Sequence, residues 1–212
     1  MLELLVPVAA HRRRALPRHA PWHLGLLGVV LVALTACGAT GPEAAAPSTA
    51  APTAQTDLFN PSVAEASPIP GVELFTVTSR DHTTEPVKYP QDPPVGGAHD
   101  PSWQKCQVYH APVRNENAVH SLEHGAVWIT YQPDLPADQV AALDREGEGK
   151  RFILISPYPG LTSPIVASAW GAQLRLDKVD DPRLQEFIDR YAGNGPEPGA
   201  NCDSGVEATV SG

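Results

Sequence analysis

The chain has 212 residues, 42% of them apolar, with 23 prolines and a formal net charge of −9. That length allows one core of ordinary size, because part of the chain is too poor in large side chains to join it. The acidic balance, 24 Asp+Glu against 15 Lys+Arg, repels nucleic acid, and no basic patch offsets it.

The first segment has the parts of an export signal. Arg12, Arg13, Arg14 and Arg18 precede an apolar run from Leu24 to Leu34, and Leu34-Thr35-Ala36-Cys37 follows. Ordinary secretory signals end in small residues at the cleavage point. Here the small residues lead directly into a cysteine, which resembles the lipobox of bacterial lipoproteins. The resemblance implies that residues 1–36 are a lipoprotein signal peptide, that the chain is cut before Cys37, and that the Cys37 thiol is diacylated. The protein is then extracytoplasmic and anchored to the plasma membrane, with the membrane as its one expected partner surface and no nucleic acid. Two acyl chains suffice for stable anchoring. The alternatives are plain secretion and an uncut signal anchor. The apolar run of about 11 residues is short of the ~20 that a spanning helix needs. Cleavage leaves 11 Lys+Arg against 23 Asp+Glu, a net charge of −12.

Residues 37–68 hold the lipidated cysteine and a stretch of Ala, Pro, Thr and Ser. Such a composition buries too little surface to offset its ordering entropy, so it reads as a disordered tether. The globular domain is expected over 69–204, with 205–212 as a flexible tail.

Within the domain, Val72 to Val77 reads as a strand, with Pro86 to Tyr89 returning beside it. Residues 90–102 hold four prolines and two glycines and form an irregular loop. Gln107 to His110 is a short strand. Asn117 to Gly125 reads as one or two helical turns stopped by Gly125. Gly125 to Tyr131, rich in β-branched and aromatic residues, is a strand. Pro136 opens a helix with Val140 and Leu143 on its apolar stripe. Phe152 to Ile155 is a buried strand, and Pro164 to Trp170 and Gln173 to Leu176 are further extended segments. The last helix has Asp181 as cap, Pro182 in its first turn, Leu184, Phe187, Ile188 and Tyr191 on one face, and Gly193 at its end. This order predicts an α+β fold: a single small domain with a mixed or antiparallel sheet and two to three helices.

Lipidation of Cys37 leaves Cys106 and Cys202 in an oxidising compartment, where a disulfide between them is the economical reading. The alternative makes Cys106 a metal ligand beside the histidines.

Five histidines lie outside the signal: His82, His99, His110, His120 and His124. If residues 117–125 are helical, His120 and His124 stand one turn apart, about 5–6 Å at Cβ, and can share an ion. In an extended segment they are ~13 Å apart and cannot. His99 lies in a glycine-containing loop able to present a third imidazole. The candidate metal set is therefore His99, His120, His124 and Glu123, suited to Cu(II) or Zn. The only methionine is Met1, lost with the signal, which excludes a thioether copper(I) site. His82 and His110 receive no role, and Trp103, Trp128 and Trp170 are assigned to the core. His120-Ser121-Leu122-Glu123-His124 also matches the H-x-x-E-H pattern of one class of zinc proteases, with Glu123 as catalytic base and a further carboxylate, Glu146 or Glu186, as third ligand. In the non-metal reading, the histidines are hydrogen-bonded members of a polar–aromatic core.

Further blocks carry a family resemblance. They are Tyr89-Pro90, Pro93-Pro94, Gly97-Ala98-His99, Trp103, Cys106 and Tyr109; then Val119 to Val127; then Ser156-Pro157-Tyr158-Pro159-Gly160, Ser163-Pro164-Ile165 and Ala169-Trp170-Gly171. In this order, over about residues 70–198, they resemble the bacterial domain of unknown function 3105, found in exported and membrane-anchored proteins of actinobacteria and others. The resemblance implies that His99, His120, Glu123 and His124 belong to a family pattern, and it transfers no activity. The function expected is a metal-binding lipoprotein of the cell envelope, more a binding protein than an enzyme. The alternatives are a non-metal binding or scaffold domain and a zinc-dependent hydrolase. Cys37→Ala, or inhibition of lipoprotein signal peptidase with globomycin, should leave unprocessed precursor on a gel. Normal processing under both treatments would end the lipoprotein reading.

Overall fold

Along β2 (Val127–Tyr131), side chains alternate between two apolar environments. Val127, Ile129 and Tyr131 enter one buried cluster, and Trp128 enters the other. β3 (Ile153–Pro157) repeats the pattern, with Ile153 and Ile155 opposed to Leu154. Successive side chains on a strand point to opposite faces, so an unbroken apolar run needs a cover on both. The computed structural model, which describes residues 68–210, supplies both covers. The export signal, Cys37 and the tether up to residue 67 lie outside the described residues.

The remaining elements are β1 (Val72–Leu74), α1 (Asn115–Glu123), α2 (Ala137–Gly147), β4 (Ile165–Ala169), β5 (Ala172–Leu176) and α3 (Pro182–Tyr191). The described residues thus form an α+β domain with three helices and a five-stranded mixed sheet in the order β1-β5-β4-β2-β3. β2 and β3 run parallel, with Val127 opposite Ile153, and α2 is the crossover between them. The other pairings are antiparallel. α3 buries Leu184, Phe187, Ile188 and Tyr191 in the cluster on one face. Asp181 caps it, accepting from the Arg183 amide at 3.0 Å. On the other face α1 packs Ala118, Val119 and Leu122 against Trp128 and Leu154.

Two extended segments differ from expectation. Residues 86–89 do not pair with β1, whose partner is β5. Pro86 and Pro90 lack N–H donors, and the Val87 amide goes instead to Glu116 Oε1 at 2.8 Å. The segment 107–110 makes one bridge, Val108 to Ile155, and so covers the outer edge of β3. Residues 205–210, expected as a loose tail, are tied back. Val206 exchanges hydrogen bonds with Trp103 and Lys105, and the Val210 amide donates to Pro112 O at 2.8 Å. Among the described residues, no helix is long and apolar enough to cross a membrane.

Cys106 and Cys202 form a disulfide with Cα atoms 5.2 Å apart, across 96 residues of sequence. Cys106 therefore has no thiolate for a metal, which removes the alternative ligand role. The link holds the C-terminal segment against the face that carries α1. A glycine contact holds the same segment further upstream. Gly125 stops α1 with a φ of 96°, and a Cβ there would meet the Gly195 amide nitrogen at 2.8 Å. A Cβ on Gly195 would in turn collide with the Glu123 carbonyl. The two glycines let the chain after α3 lie directly on the end of α1.

Closing a loop of this length stabilises a fold by about 2–5 kcal/mol. Cys106→Ala/Cys202→Ala should lower the free energy of unfolding by that amount, measured by denaturant titration. An unchanged midpoint would show that the disulfide does not restrain the unfolded chain.

Candidate metal centre

The site is built on the end of α1. Helical spacing puts His120, Glu123 and His124 on one side, at i, i+3 and i+4. The helix is almost wholly buried from Glu116 to Glu123, and polar contacts lash the loop before it onto its surface. The amides of Asp100 and Gln104 donate to the carbonyls of Glu116 and Asn117. Asn117 Nδ2 donates to Ser102 O at 2.6 Å, and Ser121 Oγ to Gln104 O at 2.6 Å. This brings His99 to the helix. A second pairing brings His82: the His99 amide donates to Asp81 O at 3.0 Å, and the Thr83 amide to His99 O at 2.7 Å. His82 and His99 thus become bridge partners.

Three imidazoles are oriented in the same way. Nδ1 of His99 lies 2.8 Å from Gly97 O, Nδ1 of His120 lies 2.6 Å from Asp100 O, and Nδ1 of His124 lies 2.8 Å from Asn201 O. A carbonyl oxygen only accepts, so each Nδ1 carries the proton. In a neutral ring, Nε2 is then a lone pair. The rings cluster tightly: His120 is 4.7 Å from His99, 4.6 Å from His124 and 5.0 Å from His82 between centroids. Trp103 walls the group, 5.6 Å from His120 and 4.7 Å from His124, and the Trp170 ring stands edge-on to His99 at 6.0 Å.

Among the described residues, two sets of donors can hold an ion, each with ligand atoms within 4.8 Å of one another. One is His82, His99, His120 and Glu123; the other is His120, His124 and Glu197. The set expected from sequence is therefore divided. His99, His120 and Glu123 come together as read, but their fourth companion is His82, and His124 pairs with Glu197. His110 is exposed and in neither set. Glu146, offered as a third hydrolase ligand, pairs with Lys150, and Glu186 is exposed on α3; neither joins a set. His82 and Glu197 were missed because each arrives through backbone pairing of irregular segments. The Glu197 amide donates to Glu123 O at 3.2 Å.

Burial, the largest influence, lowers the affinity of His120 for a proton. The Asp100 hydrogen bond works against that shift, and the neighbouring His124, His99 and His82 add to it. The net result is a ring that stays neutral below its ordinary value. Burial alone would raise Glu123, but the His99 contact and the charges of His99, Arg80 and His120 outweigh it and hold the carboxyl below its usual range. Glu123 is thus an ionised carboxylate with 8% of its side chain exposed. Its Oε2 lies 3.0 Å from His99 Nε2, a wholly buried atom that makes no aligned hydrogen bond. A lone pair facing a carboxylate is repulsive unless a cation or a proton lies between them. Arg80 Nε stands 3.5 Å from the other oxygen of Glu123.

The model of the family described as a protein of unknown function (DUF3105) matches residues 81–204, more than half of the chain. The chain belongs to this family. No curated protein and no solved structure matches it. The matched span contains both donor sets and the disulfide, but not the strand β1.

In metal-free protein, nitrogen-15 NMR should find neutral His120 as the Nδ1–H tautomer, titrating below about 6.5. The sign for stability follows from the folded value lying under the unfolded one. As pH falls, the unfolded chain takes up this proton first. The contribution of His120 is present above about 6.5 and is lost as pH falls through the folded value. A midpoint above 6.5 would contradict the burial of a neutral ring.

Proposed function

We propose that this protein is a membrane-anchored lipoprotein of the cell envelope whose domain binds one divalent transition-metal ion, Zn(II) or Cu(II), through His82, His99, His120 and Glu123. The observation that carries the reading is the buried Nε2 of His99. Its Nδ1 proton is committed to Gly97 O, and it stands wholly buried 3.0 Å from Glu123 Oε2 with no aligned hydrogen bond. A metal ion resolves that conflict and gives the converging imidazoles a common partner. Backbone carbonyls on the far nitrogen are also how metal-binding histidines are held in one tautomer. Three imidazoles and a carboxylate suit zinc or copper(II). The anchor is proposed from the lipobox-like Leu34 to Cys37.

Arg80 does not prevent this. Its side chain is 46% exposed, and a pair of that kind contributes about 0–1 kcal/mol. An ion held at micromolar affinity contributes roughly 8 kcal/mol, so the arginine yields to it. The scaffold reading instead makes His99 and Glu123 a fixed charged pair, and it accounts less well for their missing alignment. The hydrolase reading gains Glu197 as a carboxylate beside His120 and His124. It asks Glu123 to act as base, but Glu123 belongs to the donor set of His82, His99 and His120 and not to that of His120, His124 and Glu197.

The test is elemental analysis and calorimetric titration of the full chain in detergent. Wild type should bind Zn(II) or Cu(II) stoichiometrically and more tightly than about 10 μM, or roughly 7 kcal/mol. His120→Ala should bind neither while keeping the wild-type circular dichroism spectrum. Wild-type protein that binds neither ion would make the cluster structural.

A further inference from the structure

The two donor sets share one residue, and its chemistry allows that residue one role at a time. His120 Nδ1 donates to Asp100 O, so Nε2 is its single lone pair. Its ring is almost equidistant from the two others, 4.7 Å from His99 and 4.6 Å from His124 between centroids. On the His99 side the set has four donors, three of them buried. On the His124 side it has three donors, and the Glu197 side chain is 53% exposed. His124 Nε2 lies 3.2 Å from Glu197 Oε2, and Asn201 O holds its Nδ1. His124 is therefore held in the same tautomer as His99 and His120.

We propose that the domain holds one metal ion in two mutually exclusive positions that pivot on His120: a four-donor holding position at His82, His99 and Glu123, and a three-donor exchange position at His124 and Glu197. The proposal rests on the metal-binding reading and extends it to how the ion enters and leaves. A tetrahedral zinc ion keeps nitrogen ligands about 2.0–2.1 Å from the metal, hence about 3.4 Å from one another. Donor atoms lying within 4.8 Å need small ring rotations to close on an ion. Four protein donors complete a tetrahedron and hold the ion. Three leave a coordination position open to water or to a donor atom of another molecule. An ion that stays bonded to His120 exchanges Glu123, His99 and His82 for His124 and Glu197 without passing through bare solvent. Trp103, in contact with both His120 and His124, forms the wall along which it moves. The disulfide and the Gly125–Gly195 contact hold the segment carrying Glu197 and Asn201 in place.

The test uses two variants at exposed residues, Glu197→Gln and His82→Ala, in the full chain in detergent. The probes are Zn(II) for stoichiometry, Co(II) for coordination geometry, and EDTA for release. Wild type should bind one equivalent and give the strong visible absorption of tetrahedral Co(II). Glu197→Gln should keep both properties and release its ion several-fold more slowly than wild type, because the exchange position is lost. His82→Ala should still bind one equivalent, change the Co(II) visible spectrum as a water takes the place of the imidazole, and release faster. Two equivalents on wild type would overturn the proposal, since the sites would then be independent. Release from Glu197→Gln at the wild-type rate would overturn it and leave the four-donor site standing. Loss of all binding in His82→Ala would do the same. Wild type without any metal would instead overturn the metal reading itself.

Discussion

The hydrogen bonds from His99, His120 and His124 to the carbonyls of Gly97, Asp100 and Asn201 fix which nitrogen of each ring is protonated and where its lone pair points. Each carbonyl comes from irregular chain, and the loop before α1 and the segment after α3 meet on the buried face of α1. The helix and its C-cap residue contribute two imidazoles and a carboxylate. The loops turn them into a directed set.

That arrangement has an energetic cost, and the fold meets it locally. Glu123 is charged and almost buried, a state that needs compensation by partners. Arg80, 3.5 Å from one carboxylate oxygen, and the His99 contact at the other provide it, and together they outweigh the effect of burial on the carboxyl. His120 is treated oppositely: burial and its histidine neighbours keep it neutral. One face of α1 thus carries an anionic ligand beside a neutral one, the combination that a divalent ion requires. Asp100 is kept out of the cluster. Its carboxylate pairs with Arg114 at 2.6 Å and accepts from the Ser102 amide, so only its carbonyl reaches His120.

The C-terminal segment is the other half of the construction. It leaves α3 at Gly193, crosses the end of α1 through Gly195, supplies Glu197 and Asn201, and is fastened at Cys202. Beyond the disulfide it runs back along residues 103–112. Backbone pairing and a covalent link do here what secondary structure does for the sheet. A segment with no helix or strand of its own therefore carries parts of the site.

By itself the sequence determined the elements whose signal is local. The apolar runs read as strands at 125–131 and 152–155, the capped amphipathic stripe of Leu184, Phe187, Ile188 and Tyr191, and the glycine stop after His124 each follow from neighbours within one or two turns. The same holds for the His120, Glu123 and His124 spacing, and reading Cys37 as a lipidation site made the Cys106–Cys202 disulfide the economical reading, with Cys106 as a metal ligand the alternative. Only the tertiary structure decided that residues 86–89 leave the sheet, because a glutamate on α1 takes the Val87 amide. It alone placed His82 beside His99 and Glu197 beside His124, and divided four expected ligands between two sets. These contacts join loops distant in sequence through backbone hydrogen bonds that any residue type can make, so no side-chain pattern marks them in advance.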